Sequence, residues 1–148
     1  MQIIKDKQLI DNTWSFVADD AEIGNSGDIT VSLSRWEQQK SALQAHNGKV
    51  GIRLTSTDDT NLLADIKDRE LVELDFPVFT DGRLFSHARL LRDLGYQGEI
   101  RAVGNYLADQ VFYLSRVGVN AFQTKADLVP LVLKSLDDFS VKYQTSSI

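Results

Sequence analysis

The sequence contains no cysteine, and this absence excludes several kinds of chemistry at once. Without a thiol, the chain cannot form a disulfide, ligate an iron–sulfur cluster, present a thiolate nucleophile or build a cysteine-type zinc site. Its two histidines, His46 and His87, are too few for a histidine-rich metal site. We therefore expect no metal centre, although a site of carboxylates alone for Mg²⁺ or Ca²⁺ stays open.

The sequence also lacks a long apolar run and an excess of positive charge. No run approaches the roughly 18 apolar residues that a membrane span needs, and the first residues, MQIIKDKQLIDN, contain no apolar stretch typical of a secretion signal. The formal net charge is −5, which disfavours unaided binding to nucleic acid or to an anionic membrane. We expect a cytoplasmic protein with no nucleic-acid and no membrane partner.

The amino-acid composition is that of an ordinary globular protein, with 43% hydrophobic and 25% charged residues. This composition and the length of 148 residues suit a single core. We predict a single α/β domain over residues 1–148, with a peripheral hairpin in residues 1–20 and a frayed tail at 143–148. The hairpin prediction rests on the alternation in residues 8–17 and on Asp11-Asn12, a pair suited to a turn.

From Ile29 onward, apolar runs alternate with segments of helical periodicity. Strands separated by single helices pair in parallel through right-handed crossovers, so we predict a parallel sheet of four or five strands with crossover helices. A partial (βα) barrel and an open three-layer sheet both fit, and the short regular repeats favour the barrel. The predicted strands are 29–33, 50–54, 71–76, 98–104 and 119–123.

Local signals predict where some helices begin and end. Ser34 and Glu37 have the spacing of a capping box, which predicts a helix that runs to about His46 and ends at Asn47-Gly48. At the C-terminal helix, Asp127 as N-cap would place Pro130 in the first turn, where the missing N–H is not needed.

In parallel α/β proteins, ligands bind at the carboxyl ends of the strands, and the loop at 79–83 lies there. Gly82 permits a tight turn, and Arg83 offers a planar donor for carboxylate, phosphate or sulfate. Asp81 can orient Arg83 or, like Thr80, only cap the next helix. This loop is the predicted working surface, and a purely structural turn is the alternative.

Further candidates follow the next predicted strand. Arg101 lies in a strand that otherwise fits a core, so it needs a partner such as Asp109, unless it faces solvent at a sheet edge. Asn105, Asp109 and Gln110 predict a polar contact surface or a solvated helix face. His87 could serve as a general base, but no nucleophile is identified. No dinucleotide or phosphate-loop glycine motif is present, and the catalytic residues stay unassigned.

Between Asp28 and Phe122, a set of residues and segments carries a family resemblance: Arg35-Trp36, 76–83, 88–92, Gly95-Tyr96, 98–104, Asp109-Gln110 and Phe122. In these positions the chain resembles a bacterial family, the domain-of-unknown-function 934 family, usually encoded beside assimilatory sulfite reductase. The resemblance implies an oxidoreductase-like protein of sulfur assimilation. A redox role would then need a noncovalent flavin, an atypically bound nicotinamide or a partner with redox centres.

Three functions remain open, and neither enzymatic activity nor a cofactor is assigned. The favoured one is an accessory protein that docks on sulfite reductase or its electron donor. The second is a small enzyme or binding module that holds an oxyanion or a phosphorylated cofactor, and the third is a homodimeric scaffold. The predicted ligand- or partner-binding residues are Thr80, Asp81, Arg83, Arg101, Asn105, Asp109 and Gln110.

Overall fold

The apolar strands of the sequence lie side by side in one eight-stranded sheet. The structure is a computed structural model that describes residues 2–78 and 82–146, with side chains to residue 137. The strands are β1 (Gln2–Lys5), β2 (Gln8–Ile10), β3 (Ser15–Phe16), β4 (Ile29–Ser32), β5 (Val50–Leu54), β6 (Leu71–Phe76), β7 (Glu99–Gly104) and β8 (Ala121–Thr124). The helices are α1 (Leu33–Gln38), α2 (Lys40–Gln44), α3 (Arg83–Asp93), α4 (Val111–Arg116) and α5 (Val129–Ser146). Short 3-10 helices cover Thr60–Ile66, Ala108–Gln110 and Ala126–Leu128.

The sheet is mostly parallel and is curled into a half-barrel. Its strand order is β2-β1-β8-β7-β6-β5-β4-β3, and β3 to β8 run parallel, whereas β1 is antiparallel to both its neighbours. The predicted α/β class and the parallel body are confirmed. Six strands, β3 to β8, are parallel, more than the four or five predicted, and β3 was missed because its two residues are too short to leave a sequence pattern.

The helices pack on one face of the curled sheet. On that face, Ile52, Leu74 and Ile100 of the strands share a buried cluster with Trp36 and Leu91 of the helices. The opposite, inner face carries charged side chains, because Arg53, Glu73 and Arg101 stand opposite one another on β5, β6 and β7. A three-layer sheet would be apolar on both faces. The architecture is therefore the partial barrel.

The N-terminal hairpin differs from the predicted one. Its strands are β1 and β2, and its turn is Asp6-Lys7, where both residues have a positive φ of 53° and 64°. Ile3 and Ile4 are fully buried, and β1 pairs with β8, so the hairpin is part of the sheet rather than peripheral. The turn predicted at Asp11-Asn12 is wrong, because Ser15–Phe16 pairs in parallel with β4.

The helix boundaries follow the predictions in part. Ser32, not Ser34, caps α1, since its Oγ accepts the Arg35 N–H at 3.2 Å. The predicted helix is also interrupted at Gln39, between α1 and α2. Pro130 is the second residue of α5 and lies in its first turn, as predicted, but Asp127 lies within a 3-10 helix and is not its N-cap. The backbone remains helical to Ser146.

Candidate functional site

A cavity of about 450 Å³ opens at the carboxyl ends of β6, β7 and β8. This edge is where parallel α/β proteins bind ligands, and the volume lies within the roughly 300–1,000 Å³ of small-molecule sites. The lining residues come from the loops after the three strands and from the start of the C-terminal helix. They are Pro77, Val78, Gly104, Asn105, Tyr106, Leu107, Ala108, Gln123, Thr124, Lys125, Leu128 and Val132.

Gly104, the last residue of β7, shapes one wall of the cavity. Its φ is +86°, and a Cβ at this position would lie 2.5 Å from the main-chain oxygen of Phe76, so only glycine fits. The next residue, Asn105, donates its main-chain N–H to the Phe76 oxygen at 2.8 Å. Its side-chain Nδ2 donates to the Pro77 oxygen at 2.9 Å. The end of β7 is thereby fastened to the end of β6.

Tyr106 joins the second and third strand ends. Its hydroxyl donates to the Gln123 oxygen at 2.7 Å and lies 2.9 Å from the Thr124 Oγ1. Its ring makes an edge contact with Phe76 and a tilted contact with Phe122, at centroid distances of 6.2 and 6.1 Å. Burial raises the pKa of Tyr106 to about 12, so the hydroxyl stays protonated at neutral pH. Its role is to hold the β7 loop against β8.

Apolar side chains surround the mouth of the cavity and are exposed there. Val78, Leu107 and Leu128 line the cavity and are 52%, 44% and 38% exposed. Leu131, three residues beyond Leu128, is 54% exposed although it does not line the cavity. We refer to these four residues as the apolar rim. Below the rim, Val132 is buried, so the cavity reaches into the core.

Two of the seven predicted site residues support this cavity. Asn105 lines it. Gln110 holds a neighbouring residue in place, since its Oε1 accepts the main-chain N–H of Leu107 at 2.8 Å. Asp109 is exposed on the same 3-10 helix and is not among the lining residues. The sequence prediction therefore names one lining residue of this cavity, Asn105, but not Tyr106 or Lys125.

The predicted loop at 79–83 is described only in part. Thr80 and Asp81 lie outside the described residues. Gly82 precedes α3, and Arg83 is its exposed first residue. His87, one turn later, is buried and donates its Nδ1–H to the main-chain oxygen of Arg83 at 2.8 Å. Neither Arg83 nor His87 lines the cavity.

Arg101 lies on the inner face of the sheet, away from the cavity lining. Its Nη2 and Nε are 2.6 and 2.8 Å from Oε2 of Glu99, and its Nη1 donates to Asn12 at 3.0 Å. The proposed pairing with Asp109 is therefore wrong. Residues two apart in a strand lie on the same face, so the alternation of side chains along β7 is the sequence signal for Glu99 as the true partner. A guanidinium already neutralised by a carboxylate is a poor ligand for an anion.

A family model described as "Bacterial protein of unknown function (DUF934)" matches residues 51–148. The chain belongs to this family. The matched segment runs from β5 to the end of the chain and includes all the residues that line the cavity of this DUF934 protein. No curated protein and no solved structure matches the chain significantly.

Over residues 2–78 and 82–146, no group of three or more histidine, aspartate or glutamate residues could hold a metal ion. Within the same residues, no helix is both long and apolar enough to cross a membrane.

A second ion pair lies beside Arg101 on the inner face of the DUF934 half-barrel. Arg53 donates its Nε to Oε1 of Glu73 at 3.0 Å, and its guanidinium lies 4.1 Å above the ring of Phe16. Glu73 is buried. Sequence reasoning missed this pair because its members come from separate strands, although alternation along β5 and β6 would have placed both on one face.

Two arginines, both among the residues that carry the family resemblance, donate hydrogen bonds to main-chain oxygens. Arg35 donates to Ala18 at 2.6 Å and to Ala21 at 2.7 Å, which fixes the loop before β4. Arg92 donates to the oxygens of Tyr96, Gly98 and Gly118 at 2.8 to 3.1 Å. Burial lowers the pKa of Arg92. Both residues are structural in the DUF934 fold, since each joins segments that lie far apart in the sequence.

Proposed function

We propose that the protein is a non-catalytic accessory protein of assimilatory sulfite reduction that binds the reductase or its electron donor. The observation that carries the binding role is the apolar rim, in which three exposed aliphatic side chains stand at one cavity mouth and a fourth, Leu131, is exposed three residues further along the chain. Apolar side chains grouped on a surface indicate an interaction site, because their exposure to water is unfavourable without a partner. The link to sulfite reduction rests on the family resemblance.

The polar groups near the rim favour binding over catalysis. The hydroxyl of Tyr106 is hydrogen-bonded, and its pKa of about 12 is far from the value that suits a general acid or base at neutral pH. Arg101 is engaged by Glu99. Both groups hold the fold together, Tyr106 at the strand ends and Arg101 on the inner face of the sheet. An oxyanion site at Arg101 is correspondingly disfavoured.

The rim is suited to the centre of a protein interface. Such centres are more apolar than their surroundings, and a few buried aliphatic or aromatic side chains supply most of the binding energy. Leu131 lies on α5 outside the cavity lining, so its substitution alters the outer surface and leaves the cavity walls intact. It is therefore the residue at which docking is best tested.

The test is direct binding between purified proteins. The chain is immobilised, and purified sulfite reductase and its electron donor are titrated separately. We expect one of them to bind, and we expect Leu131→Asp to weaken that binding at least tenfold, about 1.4 kcal/mol. The matched control is Phe16→Asp, at an apolar residue that is 41% exposed on β3, an edge strand of the sheet.

Two outcomes would reject the proposal. The first is that neither protein binds the wild-type chain. The second is that Phe16→Asp weakens binding as much as Leu131→Asp while both variants keep the wild-type unfolding temperature, which would show that the rim has no special role.

A further inference from the structure

We propose that the strand-end cavity binds a small organic carboxylate with an apolar body, and that Lys125 is the partner of its negative charge. The site shares Val78, Leu107 and Leu128 with the apolar rim, but the proposal does not rest on the docking function, because it concerns the interior of the cavity. The proposal rests on the depth of the cavity, the chemistry of its walls and the sign of its charge.

The cavity is deep enough to enclose most of a small molecule. Its volume is about 450 Å³, and two of its lining residues, Thr124 and Val132, are 3% and 1% exposed. These residues lie at the level of the core, whereas Val78 and Leu107 lie at the mouth with about half of their surface in water. A ligand of matching size would therefore lose most of its contact with solvent.

The walls favour an apolar ligand body. Pro77, Val78, Leu107, Leu128 and Val132 contribute aliphatic surface to the cavity. Burial of apolar surface stabilises a complex by roughly 25 cal/mol per Å² before the cost of association is subtracted.

The charge of the cavity favours an anion. Among the described lining residues there is no aspartate or glutamate, and Lys125, an exposed residue, is the one of them that carries a formal charge. Lys125 forms no ion pair with any other described residue, including Asp127, the nearest carboxylate in the sequence. The charge that the described lining presents is therefore opposite in sign to the net charge of the chain, −5. One ammonium group matches the single charge of a carboxylate.

Asn105 and Gln123 also line the cavity, and each brings a neutral side-chain amide to the strand ends. Their neutral groups orient a polar head without changing the charge of the site. The combination of apolar walls with a few convergent polar groups is the general pattern of small-molecule sites.

The test compares 2-naphthoate with 2-naphthamide, which has a similar shape but no charge, by calorimetric titration of the full chain. We expect the wild-type protein to bind 2-naphthoate at least tenfold more tightly than the amide. Lys125→Met should reduce the affinity for 2-naphthoate to that for the amide and leave amide binding unchanged. Lys125→Arg should retain the preference. The control Lys134→Met, at an exposed lysine of α5 outside the cavity lining, should bind both probes as the wild type does.

A second variant tests the location. Ala108 lines the cavity, and Ala108→Phe should fill it and abolish the binding of both probes. Equal affinity for the acid and the amide, or an unchanged preference in Lys125→Met, would overturn the role of Lys125. Unchanged binding by a folded Ala108→Phe variant would overturn the site itself. Neither result depends on sulfite reductase, so this proposal can fail while the docking function stands.

Discussion

The guanidinium of Arg101 and the carboxylate of Glu99, two residues apart on the inner face of β7, lie 2.6 Å from each other. Both side chains are largely removed from water, at 3% and 12% exposure. Lys5 also pairs with Glu99 at 3.0 Å, so the antiparallel strand β1 is joined to this network. The pair belongs to the interior of the half-barrel, which explains why an arginine can stand in an otherwise apolar strand.

Breaking this pair should destabilise the fold. We expect Arg101→Ala to lower the free energy of unfolding by about 3 kcal/mol, because it leaves a poorly hydrated carboxylate with less compensation. Urea unfolding of Arg101→Ala, Glu99→Ala and the double variant measures the coupling, which should exceed roughly 1 kcal/mol. The surface pair Lys49–Glu70, with a similar distance of 2.9 Å but 56% and 63% exposure, is the control and should show no measurable coupling. Equal coupling in the two pairs would contradict this explanation.

Two glycines next to the strand ends should respond differently to alanine. Gly104→Ala should cost about 2 to 4 kcal/mol of unfolding free energy, because φ is +86° and the new Cβ would meet the Phe76 oxygen at 2.5 Å. At Gly82, φ is −77° and nothing lies within 4 Å of an added Cβ. Gly82→Ala should therefore change stability by less than about 1 kcal/mol. Urea unfolding of both variants checks the contrast, and similar losses would refute it.

The stability of the protein should fall even when Arg92 is replaced by a similar residue. Arg92→Met removes donors from three main-chain oxygens and should cost about 3 kcal/mol, which corresponds to a fall of roughly 6 to 12 °C in the unfolding temperature. Arg92→Lys should recover only part of this loss, because one ammonium group cannot reproduce the planar fork of donors. Arg89, an exposed residue on the same helix, supplies the control Arg89→Met. Full recovery by lysine would mean that charge alone matters.

Tyr106 predicts a loss of stability in alkaline solution. Its pKa is raised from 10.0 to about 12 in the folded protein, so the unfolded chain releases the proton first. The protonated hydroxyl of Tyr106 therefore contributes to the free energy of unfolding, fully below pH 10 and less as the pH rises toward 12. Tyr106→Phe has no hydroxyl and lacks this contribution. The difference in unfolding free energy between the wild type and Tyr106→Phe should therefore shrink between pH 9 and pH 11.5, and a constant difference would contradict the assignment.

Much of the sheet could be predicted because its strands carry local signals. The predicted ranges 50–54 and 71–76 coincide with β5 (Val50–Leu54) and β6 (Leu71–Phe76), each of which is a mainly apolar run flanked by polar segments. The hairpin could not be placed, because its turn Asp6-Lys7 lacks glycine and asparagine. Pairing of β1 with β8, a contact between the two ends of the chain, stabilises it instead.

The candidate site was less predictable, because it too depends on contacts between segments that lie far apart in the sequence. The strand-end rule indicated the edge at which the cavity opens, and it named Asn105, which lines the cavity. The cavity itself depends on how Tyr106 meets Gln123 and Thr124 across two strands, which no local pattern encodes. The sequence could not single out Lys125, because the lack of a carboxylate among the described lining residues is a property of the folded cavity.

The most direct test of the central claim, that the apolar rim serves sulfite reduction, is growth of the source bacterium on sulfate as its only sulfur source. We expect a strain that lacks this gene to grow more slowly on sulfate than on a reduced sulfur source. The wild-type gene and Phe16→Asp should restore growth, and Leu131→Asp should not, although the variant accumulates to the same level. Normal growth of the deletion strain on sulfate, or full restoration by Leu131→Asp, would contradict the claim.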